Sequence, residues 1–108
     1  MEIMDALKEA QQSKEITDFV NAYTQLMIQK QNPSRDGMIQ ALTDAQKVAL
    51  PEIRSVEYSH GGTQMMPLSD FTNEALYAKL SEYQQGLFQY AIHQYGKEQV
   101  EKMLSGQQ

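Results

Sequence analysis

Between residues 16 and 31 the apolar side chains Ile16, Phe19, Val20, Tyr23, Leu26 and Met27 recur every three or four positions. At about 100° per residue they fall on one stripe, so the spacing predicts an amphipathic helix with a single core face. Ser13 is placed to cap it, Glu15 sits favourably in its first turn, and Asn32 with Pro33 stops it. Residues 2–12 carry a second stripe, Ile3, Met4, Leu7 and Ala10, but the same wheel puts it on the side opposite the first. Two opposed stripes cannot serve one straight helix and one core. The expectation is a break near 11–13; the alternative is a single long helix whose first turns are offered to a second copy of the chain.

A third helix opens at Ser34 or Asp36 and runs to Leu50 with Met38, Ile39, Leu42, Ala45 and Ala49 on its apolar face. The alanines imply a close-packed neighbour, and Pro51 is expected to end the helix by restricting the residue before it. A longer helix starts near 70–72 and runs to Tyr95, with Gly96 as its stop. Leu76, Tyr77, Leu80, Tyr83, Leu87, Phe88, Ala91, Ile92 and Tyr95 cover more than half of its circumference, the pattern of a central helix with several neighbours. A short last helix spans 97–104. For the connector at 52–67 two readings compete. Residues 56–59 and 64–66 pair as a hairpin across His60, Gly61, Gly62 and Thr63, or 51–58 form a short helix begun by proline and ended by glycine. The hairpin is placed narrowly ahead, laid against the helices because an isolated one is marginal. The fold class is mainly α: a small bundle of four to five helices around a long central C-terminal helix.

Composition narrows the function more than the fold. At 108 residues the chain is expected to be one domain, and 41% hydrophobic with 21% charged residues is globular territory. There is no cysteine, which excludes disulfides, thiolate metal sites and cysteine nucleophiles. The net charge is -5, with three lysines against five acids in residues 1–32 and the same ratio in 69–108. No basic stripe exists to displace counterions from phosphates, so a nucleic-acid partner is not expected. The acidic start lacks the basic flank and apolar core of a signal peptide, no run is long enough to span a bilayer, and the expected location is cytoplasmic with no membrane partner. Fifteen glutamines are scattered, not clustered, and suit helices without adding charge.

Candidate chemistry is sparse. Glu57, Tyr58 and His60 could supply a base, a hydroxyl and an imidazole, but in an extended strand Glu57 and Tyr58 point to opposite faces. Gly61 and Gly62 match no phosphate-binding loop. His93 falls with Lys79, Glu82, Gln85 and Gln89 on the polar side of the long helix, with no second ligand at metal-binding spacing. Gly86 lies on that same side in mid-helix, where it costs about 1 kcal/mol relative to alanine. That cost is explained by close approach of a partner or another helix, or it is simply a tolerated surface glycine. Tyr23, Tyr77, Tyr83 and Tyr95 read as core residues, while Tyr58 reads as exposed. Met65 and Met66 suit an adaptable groove.

These residues rank three functions. The first is a non-enzymatic protein-protein interaction module, such as a small regulator, inhibitor, immunity-type or phage-encoded accessory protein, binding another protein or itself. It needs no cofactor and no metal, and its candidate surface is Tyr58, His60, Met65, Met66, Glu82, Gly86, Gln89 and His93. The alternative is a small enzyme with Glu57 and His60 at the 55–68 connector. The third, a helix-turn-helix regulator over 34–50, is weakened by having only Arg35 and Lys47 as cations. The deciding question is whether Tyr58, Met65 and Met66 face the helices or the solvent.

Overall fold

The computed structural model describes the backbone of residues 2–61 and 66–105, and side chains within those ranges from residue 13 onward. Four helices follow one another: α1 (Glu2–Gln31), α2 (Arg35–Ser59), α3 (Asn73–Tyr95) and α4 (Lys97–Ser105), with a 3-10 turn at Leu68–Asp70 before α3. No strand occurs among the described residues. The result is an all-α bundle in which α3 contacts each of the other helices and α2 against α3 is the most extensive pairing.

The helix starts follow local chemistry. Ser34 is extended, and its hydroxyl accepts the Gly37 N–H at 3.1 Å. Gln29 holds Ser34 in turn by accepting its N–H at 3.0 Å, so the end of α1 ties the start of α2. Thr72 caps α3 in the same way, accepting the Ala75 N–H at 3.1 Å. Gly96, at a φ of 84°, turns the chain from α3 into α4 where a side chain would be strained.

Two expectations about the path of the chain are corrected. There is no break at 11–13: α1 is one helix of 30 residues, about 45 Å at 1.5 Å per residue. Nothing at those positions breaks a helix, since Gln11 and Gln12 propagate one well, Ser13 is tolerated within one, and no glycine or proline intervenes. The side chains of Ile3, Met4, Leu7 and Ala10 lie outside the described ones.

The second correction concerns Pro51 and the connector. Proline has no N–H to donate and its ring crowds the carbonyl four residues back. The chain answers with a kink, not a stop: Ala49 leaves helical geometry (φ -142°, ψ 46°) and the helix resumes through Pro51 to Ser59. The hairpin over 56–59 and 64–66 is therefore not formed in its first strand, because residues 56–59 are the last turn of α2; Gln64 and Met65 lie outside the described residues. Proline near the start and Gly61, at φ 83°, just past the end is the helical alternative. Helix wins because it puts Ile53 and Val56 into the interior, at 0% and 3% exposure.

The core joins Phe19 and Leu26 of α1, Leu42 and Ile53 of α2, Leu76, Leu80, Tyr83 and Leu87 of α3, and Val100 of α4. Ala45 and Ala49 are fully buried, as their predicted close neighbour requires, and Ala41 is buried beside them. Each fully buried leucine or isoleucine contributes about 1.5–3 kcal/mol. Tyr77 departs from its expected core place: it is 43% exposed and its hydroxyl donates to the Lys30 carbonyl at 3.0 Å, pinning α3 to the end of α1. No helix among the described residues is long and apolar enough to cross a membrane.

Candidate functional site

The kink at Ala49 decides where the site lies. It carries the second half of α2 across the face of α3 that sequence reading assigns to solvent. Ile53, Glu57 and His60 follow each other at helical spacing on that half, and they meet Gly86, Lys79 and Glu82 of α3.

Gly86 is therefore buried, not part of a partner surface. A Cβ placed on it would lie 2.7 Å from Ile53 Cγ1, 2.8 Å from Ile53 Cα and 3.0 Å from Ile53 N. The neighbour that explains this mid-helix glycine is another helix of the same chain. Lys79 is likewise withdrawn from water, its side chain 19% exposed. Its ammonium contacts Glu57 Oε2 at 2.5 Å and Glu82 Oε2 at 3.9 Å, and stands over the rings of Phe71 at 5.2 Å and Tyr83 at 5.9 Å. Glu82 turns its other oxygen to His60 Nδ1 at 3.5 Å. A polar path thus runs from Glu57 through Lys79 and Glu82 to the half-exposed imidazole of His60.

Beside this path lies a cavity of about 510 Å³ between both halves of α2, the 3-10 turn and α3. Thr43 and Gln46 come from the first half of α2, Arg54 and Glu57 from the second, and Lys79 and Tyr83 from α3. Leu68, Phe71 and Met66 form the apolar side. Tyr83 is 1% exposed and its hydroxyl accepts a hydrogen bond from Gln46 Nε2 at 2.8 Å. Burial pushes its pKa up to about 12, with Glu57 and Glu82 adding to the rise while the Gln46 hydrogen bond and the Arg54 charge oppose it.

The apolar rim is held in place by Arg35. Its guanidinium donates to the Phe71 carbonyl at 2.8 Å, the Ser69 carbonyl at 2.8 Å and Asn73 Oδ1 at 2.9 Å, clasping the start of α2 to the segment that leads into α3. Arg35→Ala removes three charge-assisted bonds and is expected to lower stability by about 2 kcal/mol. Amide exchange checks where: protection should fall first at 68–73, whereas uniform loss along α3 would count against the clasp.

The proposed partner residues divide accordingly. Tyr58 is 61% and Met66 41% exposed, so both face outward; Met65 lies outside the described residues. His60 and Glu82 are brought together, while Gln89 and His93 remain on the exposed side of α3 beyond Gly86. Glu57 faces the cavity, but His60 does not line it. No group of three or more histidine, cysteine or acidic residues suited to a metal occurs among the described residues. Sequence reasoning missed Arg54, Lys79, Gln46 and Tyr83 as neighbours. The available signal was the matched spacing of Ile53, Glu57 and His60 with Lys79, Glu82 and Gly86, and it becomes readable only once 51–59 is known to be helical.

Fold and site together define a small all-α bundle with a charged cavity under a kinked helix. Comparison with protein-family models, with curated proteins and with solved structures finds no match for this chain.

Proposed function

We propose that the chain is a non-enzymatic protein-protein interaction module whose docking surface is the C-terminal end of α2 and the connector beside it. The observation that carries this reading is the outward exposure of Tyr58 and Met66. Tyrosine is enriched at binding hot spots, and methionine adapts its shape to a partner. Neither exposed side chain stabilises the bundle in the way the core residues do, and Tyr58 follows Glu57, whose carboxylate is paired with Lys79 of α3. The uninterrupted α1 supports self-association as a further mode. By sequence spacing Ile3, Met4, Leu7 and Ala10 form a stripe opposite that of Ile16, Phe19 and Leu26, the pattern expected of a long helix whose first turns are offered to a second copy.

The enzyme reading is less favoured, because Glu57 is engaged by Lys79 inside the cavity while His60 addresses Glu82 outside it. A nucleic-acid role draws no support from Arg35, which is committed to the connector, or from Lys47, which lies 4.0 Å from Asp44.

The test is a Tyr58→Ala, Met66→Ser double variant. Its stability should stay within about 1 kcal/mol of the parent, since both side chains are exposed. Capture of a specific partner from the native host's extract, or self-association by light scattering, should be lost. A parent that is monomeric and captures nothing, or a variant that captures as well as the parent, would overturn the proposal.

A further inference from the structure

The cavity of about 510 Å³ under the kink adjoins the docking surface proposed above, because Met66 belongs to both: it lines the cavity and is 41% exposed. The lining changes character with the segment that supplies it. Met66, Leu68 and Phe71, on the way into α3, are apolar, whereas Thr43, Gln46 and Glu57 of α2 are polar. An occupant that suits both carries an apolar body and a polar tip. Charge selects neither sign. Arg54 and Lys79 in the wall stand against Glu57 in the wall and Glu82, which reaches Lys79 at 3.9 Å, so two cations meet two carboxylates. A charged group entering here would leave water without an excess of opposite charge to meet it, and a neutral occupant is favoured. The same lining favours a ring, since methionine sulfur gains from contact with aromatic edges and Phe71 adds an aromatic neighbour. A carboxylate has about four lone-pair sites, more than one lysine contact uses, so Glu57 can accept from a donor at the tip of that ring.

We propose that this cavity receives a tryptophan or tyrosine side chain of the protein partner as its anchor. The ring lies on Met66, Leu68 and Phe71, and its N–H or O–H donates toward Glu57. This inference rests on the docking reading and deepens it. Tyr58, next to Glu57 in sequence but outside the cavity lining, and the exposed part of Met66 make the surrounding contacts. An aromatic anchor in a pocket, ringed by contacts that exclude water, is the arrangement of a binding hot spot.

The experiment is an amide chemical-shift titration of the full chain with N-acetyl-tryptophanamide, beside N-acetyl-leucinamide as a neutral probe without a ring. Saturable shifts confined to 39–57 and 66–83 are expected, with N-acetyl-leucinamide binding about threefold more weakly. Met66→Ala and Leu68→Ala, with their helical content unchanged, should each weaken the tryptophan probe about threefold, and Tyr58→Ala should leave it unchanged. Weakening in either wall variant supports the site, so a folding defect in one leaves the other to decide. Absence of saturable shifts up to about 10 mM, ten times the half-saturation point of a 1 mM site, overturns the proposal. So do shifts that map elsewhere, equal binding of N-acetyl-leucinamide, affinity unchanged in both wall variants, or weakening by Tyr58→Ala as large as that by Met66→Ala. The two readings fail separately. Probe binding in the cavity by a chain that captures no partner refutes the docking reading and keeps the aromatic site. Partner capture without probe binding refutes the anchor and keeps the docking surface.

Discussion

Gly86→Ala is expected to destabilise the protein by about 2 kcal/mol, although alanine is the better helix former by about 1 kcal/mol. The reason is steric. The new Cβ would stand 2.8 Å from the Cα and 3.0 Å from the N of Ile53, and backbone atoms cannot swing aside as the end of a side chain can. Relief requires the second half of α2 to lift away from α3, and such overpacking costs about 1–3 kcal/mol, occasionally more. For a chain of this size the loss corresponds to a fall in Tm of about 10 °C. Thermal unfolding of Gly86→Ala beside Gln89→Ala provides the check, because position 89 is exposed on the same helix and should shift by no more than about 0.5 kcal/mol. If Gly86→Ala instead raised Tm, as an exposed helical glycine would, the close approach of α2 would be refuted. Lifting α2 would also separate Glu57 from Lys79, so amide protection at 51–59 should fall with stability.

Alkaline pH should unfold the protein through Tyr83. Its hydroxyl, buried against α2, has a pKa pushed from 10.0 up to about 12, so the folded chain holds this proton more tightly than the unfolded one. Stability from this source is complete below pH 10 and falls as the pH rises through 10 toward 12. At about 1.4 kcal/mol per unit of pKa difference, on the order of 2–3 kcal/mol is lost across that window. Tyr95, also pushed up to about 12, first by burial, acts in the same direction. Tyr83→Phe keeps the ring and removes the proton, so the difference between parent and variant isolates Tyr83. The variant's denaturant midpoint should depend less steeply on pH between 10 and 12. Equal slopes would mean that the Tyr83 hydroxyl reaches water.

The helix pattern was legible wherever the apolar stripes were long. The Ile16 stripe, the alanine face of α2 and the broad face of α3 all emerge from spacing, and Ser34, Thr72 and Gly96 mark their ends by side-chain capping or positive φ. Errors arose where a local rule had two outcomes. A proline can end a helix or kink it, and Pro51 does the second because Ile53 and Val56, beyond it, gain burial by continuing. Opposed stripes can signal a break or a helix with two faces, and α1 is continuous.

The candidate site was less legible for the same reason. Tyr58 was singled out as a tyrosine without a core role and Met66 as an adaptable methionine, with the choice between helices and solvent left open; both are exposed. Gly86 was singled out by its cost in mid-helix, yet its neighbour belongs to the chain itself. Lys79 and Glu82 looked like a solvated polar strip because a wheel drawn on α3 contains no knowledge of what crosses it.

Periodicity, capping residues and composition by themselves determined that this is a mainly α protein, which faces of its long helices are apolar and where most helices start. Those signals are short-ranged, acting over the few residues of a turn. Only the tertiary structure decided that α2 bends at Ala49 and lays Ile53, Glu57 and His60 against Gly86, Lys79 and Glu82. That choice rests on burial and ion pairing between residues more than twenty positions apart, and no local pattern encodes the sum of those contacts.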